Sequence, residues 1–153
     1  YVEVASDDWS SSVNFFGPDL ERKVQQRILT EYLREQPVGT SFIIETGNPR
    51  HPFIAHTPTM RVPMSIARTD NVYLATCAML LAVENTIKAK KIGILACPDL
   101  GTATGQVPAS QAAKQMALAY RHFLNPPTRL DWRIANKRQE EFDLMAMMDF
   151  FSR

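Results

Sequence analysis

The sequence has few cysteines and histidines and almost no net charge, and each shortage excludes a class of function. Two cysteines and three histidines contain no C-x-x-C pair and no zinc-binding spacing, so we expect no metal site. Lysine and arginine number 17 against 16 acidic residues, a net charge of +1. Broad binding to nucleic acid or to an anionic membrane needs a concentrated basic face, so we expect neither partner. The net charge does not exclude a local phosphate-binding site.

Long hydrophobic runs are also missing. The longest apolar stretch, at about 72–83, is far shorter than a membrane span, and no segment resembles a signal peptide. Cys77 and Cys97 each lie in an apolar run, which is typical of reduced core residues and predicts a cytoplasmic protein. With 45% hydrophobic residues, the 153-residue chain can form one core, so we predict a single domain over 1–153.

Helices and strands alternate along the chain, which predicts a three-layer α/β/α domain with a mixed sheet flanked by helices. We predict strands at 1–5, 41–46, 53–57, 92–97 and 130–135, helices at 18–36, 70–89, 109–124 and 138–151, and a loop at 9–17. The run 92–97 is continuously apolar and is followed by Pro98, which favours the central strand of the sheet.

The segment 99–108, between a strand and a helix, carries the strongest functional signal. In an open α/β sheet, ligands bind outside the carboxyl ends of the strands, often at the N-terminus of the next helix. Gly101 and Gly105 let backbone N–H groups approach a ligand, and Thr102 and Thr104 add hydroxyl donors, so the segment suits an anion such as phosphate. No Gly-Lys-Ser/Thr motif of a triphosphatase follows. The alternative is a tight connection without a ligand.

Other candidates carry weaker signals. Asp7, just after the first strand, could accept hydrogen bonds from a base or sugar, although acids there are more often solvated or capping. His56 has no nucleophile partner and is interpreted as a structural histidine. Arg61 is interpreted as an anchor that pairs with a carboxylate, and the charge of Asp99 is unfavourable beside a bound phosphate.

Four segments, taken in order, resemble the macrodomain family of ADP-ribose-binding modules, and in particular its compact microbial and phage-like branch. They lie between about Phe15 and Phe123 and read FFGPDLERKVQQRI, PVGTSFIIETGNPRHPFIAHTPTMRVP, NVYLATCAMLLAV and ACPDLGTATGQVP. The resemblance implies that ADP-ribose, free or attached to a protein, lies across the carboxyl edge of the sheet without a cofactor. Its diphosphate would be held by Gly101, Thr102, Ala103, Thr104, Gly105 and Gln106. By the same resemblance, Asp7 meets the adenine amino group, and Asn136, after the last predicted strand, lies against adenine.

The sequence departs from the family pattern at two places. Ala103 stands where the family usually has glycine, which costs about 1 kcal/mol if the position needs a positive φ. The family's Asn-rich and Gly-rich segment is missing between Asp8 and Phe16. Either the protein lacks this segment or the segment is missing from this sequence. Because the family uses it for hydrolysis, we assign no catalytic residue.

Three hypotheses follow from these observations. The first is a module that binds ADP-ribose or a derivative. The second is a hydrolase of the same family, which removes ADP-ribose from proteins or the acetyl group from O-acetyl-ADP-ribose by positioning a water molecule. The third is a structural or assembly protein of the same shape that has lost its ligand.

Overall fold

The structure is a computed structural model that describes residues 2–5, 9–90 and 92–151. Four strands and five helices follow one another in these ranges. They are β1 (Val2–Ala5), α1 (Trp9–Phe16), α2 (Pro18–Glu31), β2 (Phe42–Glu45), β3 (Phe53–His56), α3 (Asn71–Lys90), β4 (Leu95–Ala96), α4 (Ala109–Leu124) and α5 (Trp132–Phe151). The predicted first three strands, the helix after Pro18, the long helix near 70–89 and the helix at 109–124 are confirmed.

The strands form one mixed sheet in the order β2-β3-β1-β4. β1 runs parallel to both β3 and β4, whereas β2 runs antiparallel to β3. The prediction that 92–97 forms the central strand is wrong, because β4 contains only Leu95 and Ala96 and lies at one edge of the described sheet. Ile92, which precedes β4, is buried in the core cluster that includes residues of α3 and α4, whereas Ile94 is exposed. The apolar run therefore reflects packing on helices and not burial within the sheet.

Alternate residues of β2 and β3 fill two separate cores. On one face, Phe42, Ile44 and Ile54 pack against Leu20 and Val24 of α2. On the other face, a second cluster joins β3 to α3 and α4 through Ala55, Val72, Ala75, Met79 and Ala112. This alternation is the period-2 pattern of a sheet covered on both sides. The predicted three-layer α/β/α architecture is confirmed.

Residues 9–16 form a helix and not the predicted loop. α1 ends at Gly17, whose φ of 89° lies in the left-handed region that glycine enters without strain. The Gly17 N–H donates to the carbonyl of Val13 over 2.8 Å, and Pro18 starts α2 directly. Phe16 at the end of α1 packs against the core beneath α2.

The strand predicted at 130–135 is also wrong, because α5 begins at Trp132. The Asp131 carboxylate accepts a hydrogen bond from the N–H of Ile134 over 3.0 Å, the geometry of a helix N-cap. Helix-forming residues then continue without a break from Arg133 onward. Asn136 consequently lies exposed within a helix and not at the end of a strand.

Within the described ranges, no helix is both long and apolar enough to traverse a bilayer.

Candidate functional site

The carboxyl edge of the sheet is where two connecting segments meet. β1, β3 and β4 are parallel, so their carboxyl ends share one edge. Residues 57–70 leave β3 there on the way to α3, and residues 97–108 leave β4 on the way to α4. Asp7, the residue predicted to meet adenine, lies outside the described residues.

Residues 101–106, called the ligand loop below, are closed on themselves by backbone hydrogen bonds. The N–H of Val107 donates to the carbonyl of Gly101 over 2.9 Å, and the N–H of Gln106 donates to that of Ala103 over 3.1 Å. The hydroxyl of Thr102 donates to the carbonyl of Asp99 over 3.3 Å. The structure thus brings all six predicted loop residues together in one compact turn.

The two glycines of the ligand loop are required for different reasons. Gly101 has a φ of 73°, a left-handed conformation that favours glycine. At Gly105 the reason is space, because a Cβ there would lie 2.5 Å from the carbonyl oxygen of Gly101 and 2.8 Å from Cγ1 of Ile66. The Gly105 carbonyl also accepts a hydrogen bond from the N–H of Ile66 over 2.8 Å. The segment after β3 therefore packs against the ligand loop and bonds to it at Gly105.

Ala103 is compatible with the loop geometry. The described residues of positive φ in this loop are Gly101 and Gln106, at 73° and 55°, and Ala103 is not among them. Its methyl group is exposed. The conformational cost expected for alanine at this position is therefore absent, and the strained residue is Gln106.

A row of backbone donors lies along the ligand loop. Within the described part of the chain, the N–H groups of Thr102, Ala103, Thr104 and Gly105 donate to no protein acceptor. Ala103 and Thr104 are exposed, Thr102 is half-buried and Gly105 is buried. Successive unpaired N–H groups in a turn form a concave partial positive charge that suits an anion. The N-terminus of α4, three residues after the loop, adds the positive end of its dipole.

Gln115 is a supporting residue that the sequence reasoning missed. Its buried amide nitrogen donates to the Thr69 carbonyl over 2.8 Å, and its oxygen accepts the N–H of Tyr73 over 2.9 Å. Tyr73 is in the first turn of α3, where backbone N–H groups have no helical partner, so Gln115 caps α3 from α4. The sequence signal for this contact was a polar residue, Gln115, inside the helix predicted at 109–124.

Cys97 follows β4 directly and is a free thiol close to the loop. Burial raises the pKa of this thiol to about 11, and the negative charge of Asp99 adds to the rise. At neutral pH the side chain is therefore an uncharged thiol and not a nucleophilic thiolate.

His56 and Arg61 both make the structural contacts expected of them. The ring nitrogen Nδ1 of His56 donates to Gln36 Oε1 over 2.7 Å, and the ring stacks on Phe42. Burial lowers the pKa of His56 to about 4, so the imidazole is neutral. Arg61 pairs with the carboxylate of Glu35 and thereby anchors the segment after β3.

No group of three potential metal ligands occurs among the residues that the structure describes. The arrangement at the carboxyl edge offers backbone donors, hydroxyl groups and a helix N-terminus, which bind oxyanions through hydrogen bonds.

Known proteins share sequence and fold with this chain. A family model described as Macro domain matches residues 13–116. An uncharacterised protein of Aquifex aeolicus (strain VF5) is 34% identical over 88 residues, which are 57% of this chain and 50% of that protein. The chain thus spans about half the length of this relative.

Three solved structures are similar in fold. The Oceanobacillus iheyensis macrodomain with ADP has a TM-score of 0.61 at 20% identity, covering 82% of this chain and 70% of that one. A mutant of the same protein with ADPR has a TM-score of 0.61 at 20% identity, covering 82% and 71%. The macrodomain of Mycobacterium tuberculosis DarG has a TM-score of 0.56 at 16% identity, covering 80% and 82%. At these identities the likeness establishes the fold.

Proposed function

This chain belongs to the macrodomain family, and on that premise we propose that it binds ADP-ribose or an ADP-ribose derivative through the ligand loop. The observation that carries the proposal is the row of N–H groups from Thr102 to Gly105, which have no protein acceptor within the described residues. The Oceanobacillus iheyensis macrodomain of similar fold has been solved with ADP and, as a mutant, with ADPR, which supports this class of ligand.

The diphosphate is the part of the ligand that this loop suits. Its oxygen atoms carry negative charge and need several donors, and backbone N–H groups supply them without a lysine or a metal ion. The hydroxyl of Thr104 lies in the same turn and supplies a further donor, whereas the hydroxyl of Thr102 already donates to the Asp99 carbonyl. Asp99 precedes the loop and is exposed, so solvent screens its charge from the anion.

The remaining parts of the ligand lie along the carboxyl edge in this proposal. Asp7 comes two residues after the end of β1, whose carboxyl end shares this edge, and we keep it as the acceptor for the adenine amino group. Asn136 is not included, because its placement depended on a strand that is a helix in the structure. No catalytic residue is assigned, and hydrolysis is not part of the proposal.

Calorimetric titration of the 153-residue chain with ADP-ribose, with AMP in a parallel titration, tests this function. The proposal predicts micromolar binding of ADP-ribose and at least tenfold weaker binding of AMP, because AMP lacks the second phosphate. Absence of heat at millimolar ADP-ribose, with a folded chain by circular dichroism, would refute it. Equal binding of the two compounds would also refute it, because AMP, with its single phosphate, would then account for the whole affinity.

A further inference from the structure

A cleft with a volume of about 720 Å³ lies between α3 and the first half of α5. None of the residues that line it belongs to the ligand loop. On the α3 side its wall includes Tyr73, whose ring packs edge to face against Phe142 of α5 with centroids 4.6 Å apart. The pair of rings gives the cleft an apolar wall.

A chain of hydrogen bonds fixes the two walls relative to each other. The hydroxyl of Tyr73 lies 2.9 Å from Nδ1 of His122, and Nε2 of the same imidazole lies 2.6 Å from the Glu141 carboxylate. Arg121 also pairs with Glu141 over 3.4 Å. These contacts join α3, α4 and α5, so the cleft is part of the folded domain.

Arg138 lines this cleft and is the group that points to a ligand. Its side chain is half-buried, and among the described residues it has no hydrogen-bond or ion-pair partner. Burial raises the pKa of the Cys77 thiol, and the nearby charge of Arg138 opposes that rise. A partly buried guanidinium without a carboxylate partner offers two parallel N–H donors to a carboxylate that comes from outside.

The other lining residues supply an aromatic surface and negative charge. Trp132 is 85% exposed, so one face of its indole is free to stack on a flat ring. Ala135, one helical turn farther on, leaves room beside it. Asp70 and Asp131 also line the cleft, and their carboxylates suit a protonated amine.

We propose that the cleft between α3 and α5 binds an aromatic α-amino acid, with its carboxylate on Arg138, its ammonium group near Asp131 and its ring against Trp132. A cleft lined by one cation, two carboxylates and aromatic rings is complementary in charge to a zwitterion with a flat apolar side chain. A purely anionic ligand would meet both carboxylates, and a purely cationic one would meet Arg138.

Titration with L-phenylalanine, followed by the indole N–H resonance of Trp132, tests the site. We expect a saturable shift for L-phenylalanine and at least roughly tenfold weaker binding of phenethylamine and of 3-phenylpropionate, each of which lacks one charge. Arg138→Gln should weaken L-phenylalanine binding by at least roughly tenfold, whereas Arg133→Gln, on α5 but outside the cleft, should leave it within twofold.

Three results would overturn the proposal. They are an unmoved Trp132 resonance at 10 mM (about ten-thousandfold above a micromolar Kd), equal binding of all three compounds, and unchanged binding by a folded Arg138→Gln variant. ADP-ribose binding is measured on the same samples, and because the ligand loop does not line this cleft, either site can fail while the other is retained.

Discussion

The peptide N–H of Ile66 donates to the carbonyl of Gly105 over 2.8 Å, and this hydrogen bond joins the segment after β3 to the ligand loop after β4. Ile66 is buried, and its side chain also lies directly beneath Gly105. The position of the loop therefore depends on a close approach of residue 105 to the Gly101 carbonyl and to the Ile66 side chain, which only glycine permits.

Gly105→Ala is expected to weaken ADP-ribose binding by at least about tenfold and to lower the free energy of unfolding by about 1–3 kcal/mol. The added Cβ would lie 2.5 Å from the Gly101 carbonyl oxygen, so the loop must move. Calorimetry and urea denaturation measure the two effects. Gly93→Ala is the matched control, because a Cβ there meets nothing within 4 Å, and both quantities should stay close to wild type.

Ala103→Gly is expected to leave ADP-ribose affinity within twofold of wild type. Ala103 is exposed and not among the residues of positive φ, so removing its methyl group relieves no strain. The substitution should cost up to about 1 kcal/mol of stability, because glycine loses more backbone entropy on folding. A tenfold gain in affinity, measured by the same titration, would contradict the loop geometry described above.

Gln115→Leu is expected to reduce the free energy of unfolding by about 1–3 kcal/mol, because a buried N–H and a carbonyl both lose their partner. Those groups are the Tyr73 N–H and the Thr69 carbonyl. Urea denaturation measures the loss. Gln111→Leu, four residues earlier in α4, is the control and should change stability by less than about 0.5 kcal/mol. Equal effects of both substitutions would show that Gln115 does not cap α3.

Stability is expected to fall as the pH is lowered from about 6.5 to about 4, and His56 is one cause. Burial lowers the pKa of His56 to about 4 in the folded chain, against about 6.5 in the unfolded chain. Between these values the unfolded chain binds more protons, so acid favours unfolding, by up to about 3 kcal/mol in all. Above pH 6.5 the effect vanishes, because both states are neutral.

Urea denaturation at several pH values, with wild type and His56→Gln, measures this contribution. The variant should show a shallower decline between pH 6.5 and 4. The carboxylates titrate in both proteins and cancel in the difference. Identical slopes would mean that His56 keeps an ordinary pKa when folded.

The strands β2 and β3 could be predicted from the sequence, whereas the short edge strand β4 and the start of α5 could not. β2 and β3 could be predicted because residues 41–46 and 53–57 are short segments rich in β-branched and aromatic residues on either side of a Gly-Asn-Pro turn. In the structure, Phe42, Ile44 and Ile54 are buried on one face of the sheet. Residues 92–97 were predicted as a central strand, because an apolar run that packs on helices has the same sequence pattern as a strand buried on both faces. Residues 130–135 were predicted as a strand because the sequence alone does not show that Asp131 is the N-cap of α5.

The ligand loop could be predicted because its signal is local. Gly101 and Gly105, two threonines and the position before α4 are all visible in the sequence. The long-range contacts around the loop could not be predicted. Ile66 bonds to Gly105, and Gln115 bonds to Thr69, across long separations in the chain. The cost expected at Ala103 is absent for a different reason, because φ at this position is set by the closed turn and not by the residue alone.

The most direct test of the central claim is a pair of calorimetric titrations with ADP-ribose, one with the wild-type chain and one with Gly105→Ala. The account predicts micromolar binding by the wild type and a loss of at least about tenfold in the variant, because the row of N–H groups depends on the shape of the loop. Wild-type binding that survives unchanged in a folded Gly105→Ala protein would contradict the claim that this loop holds the diphosphate.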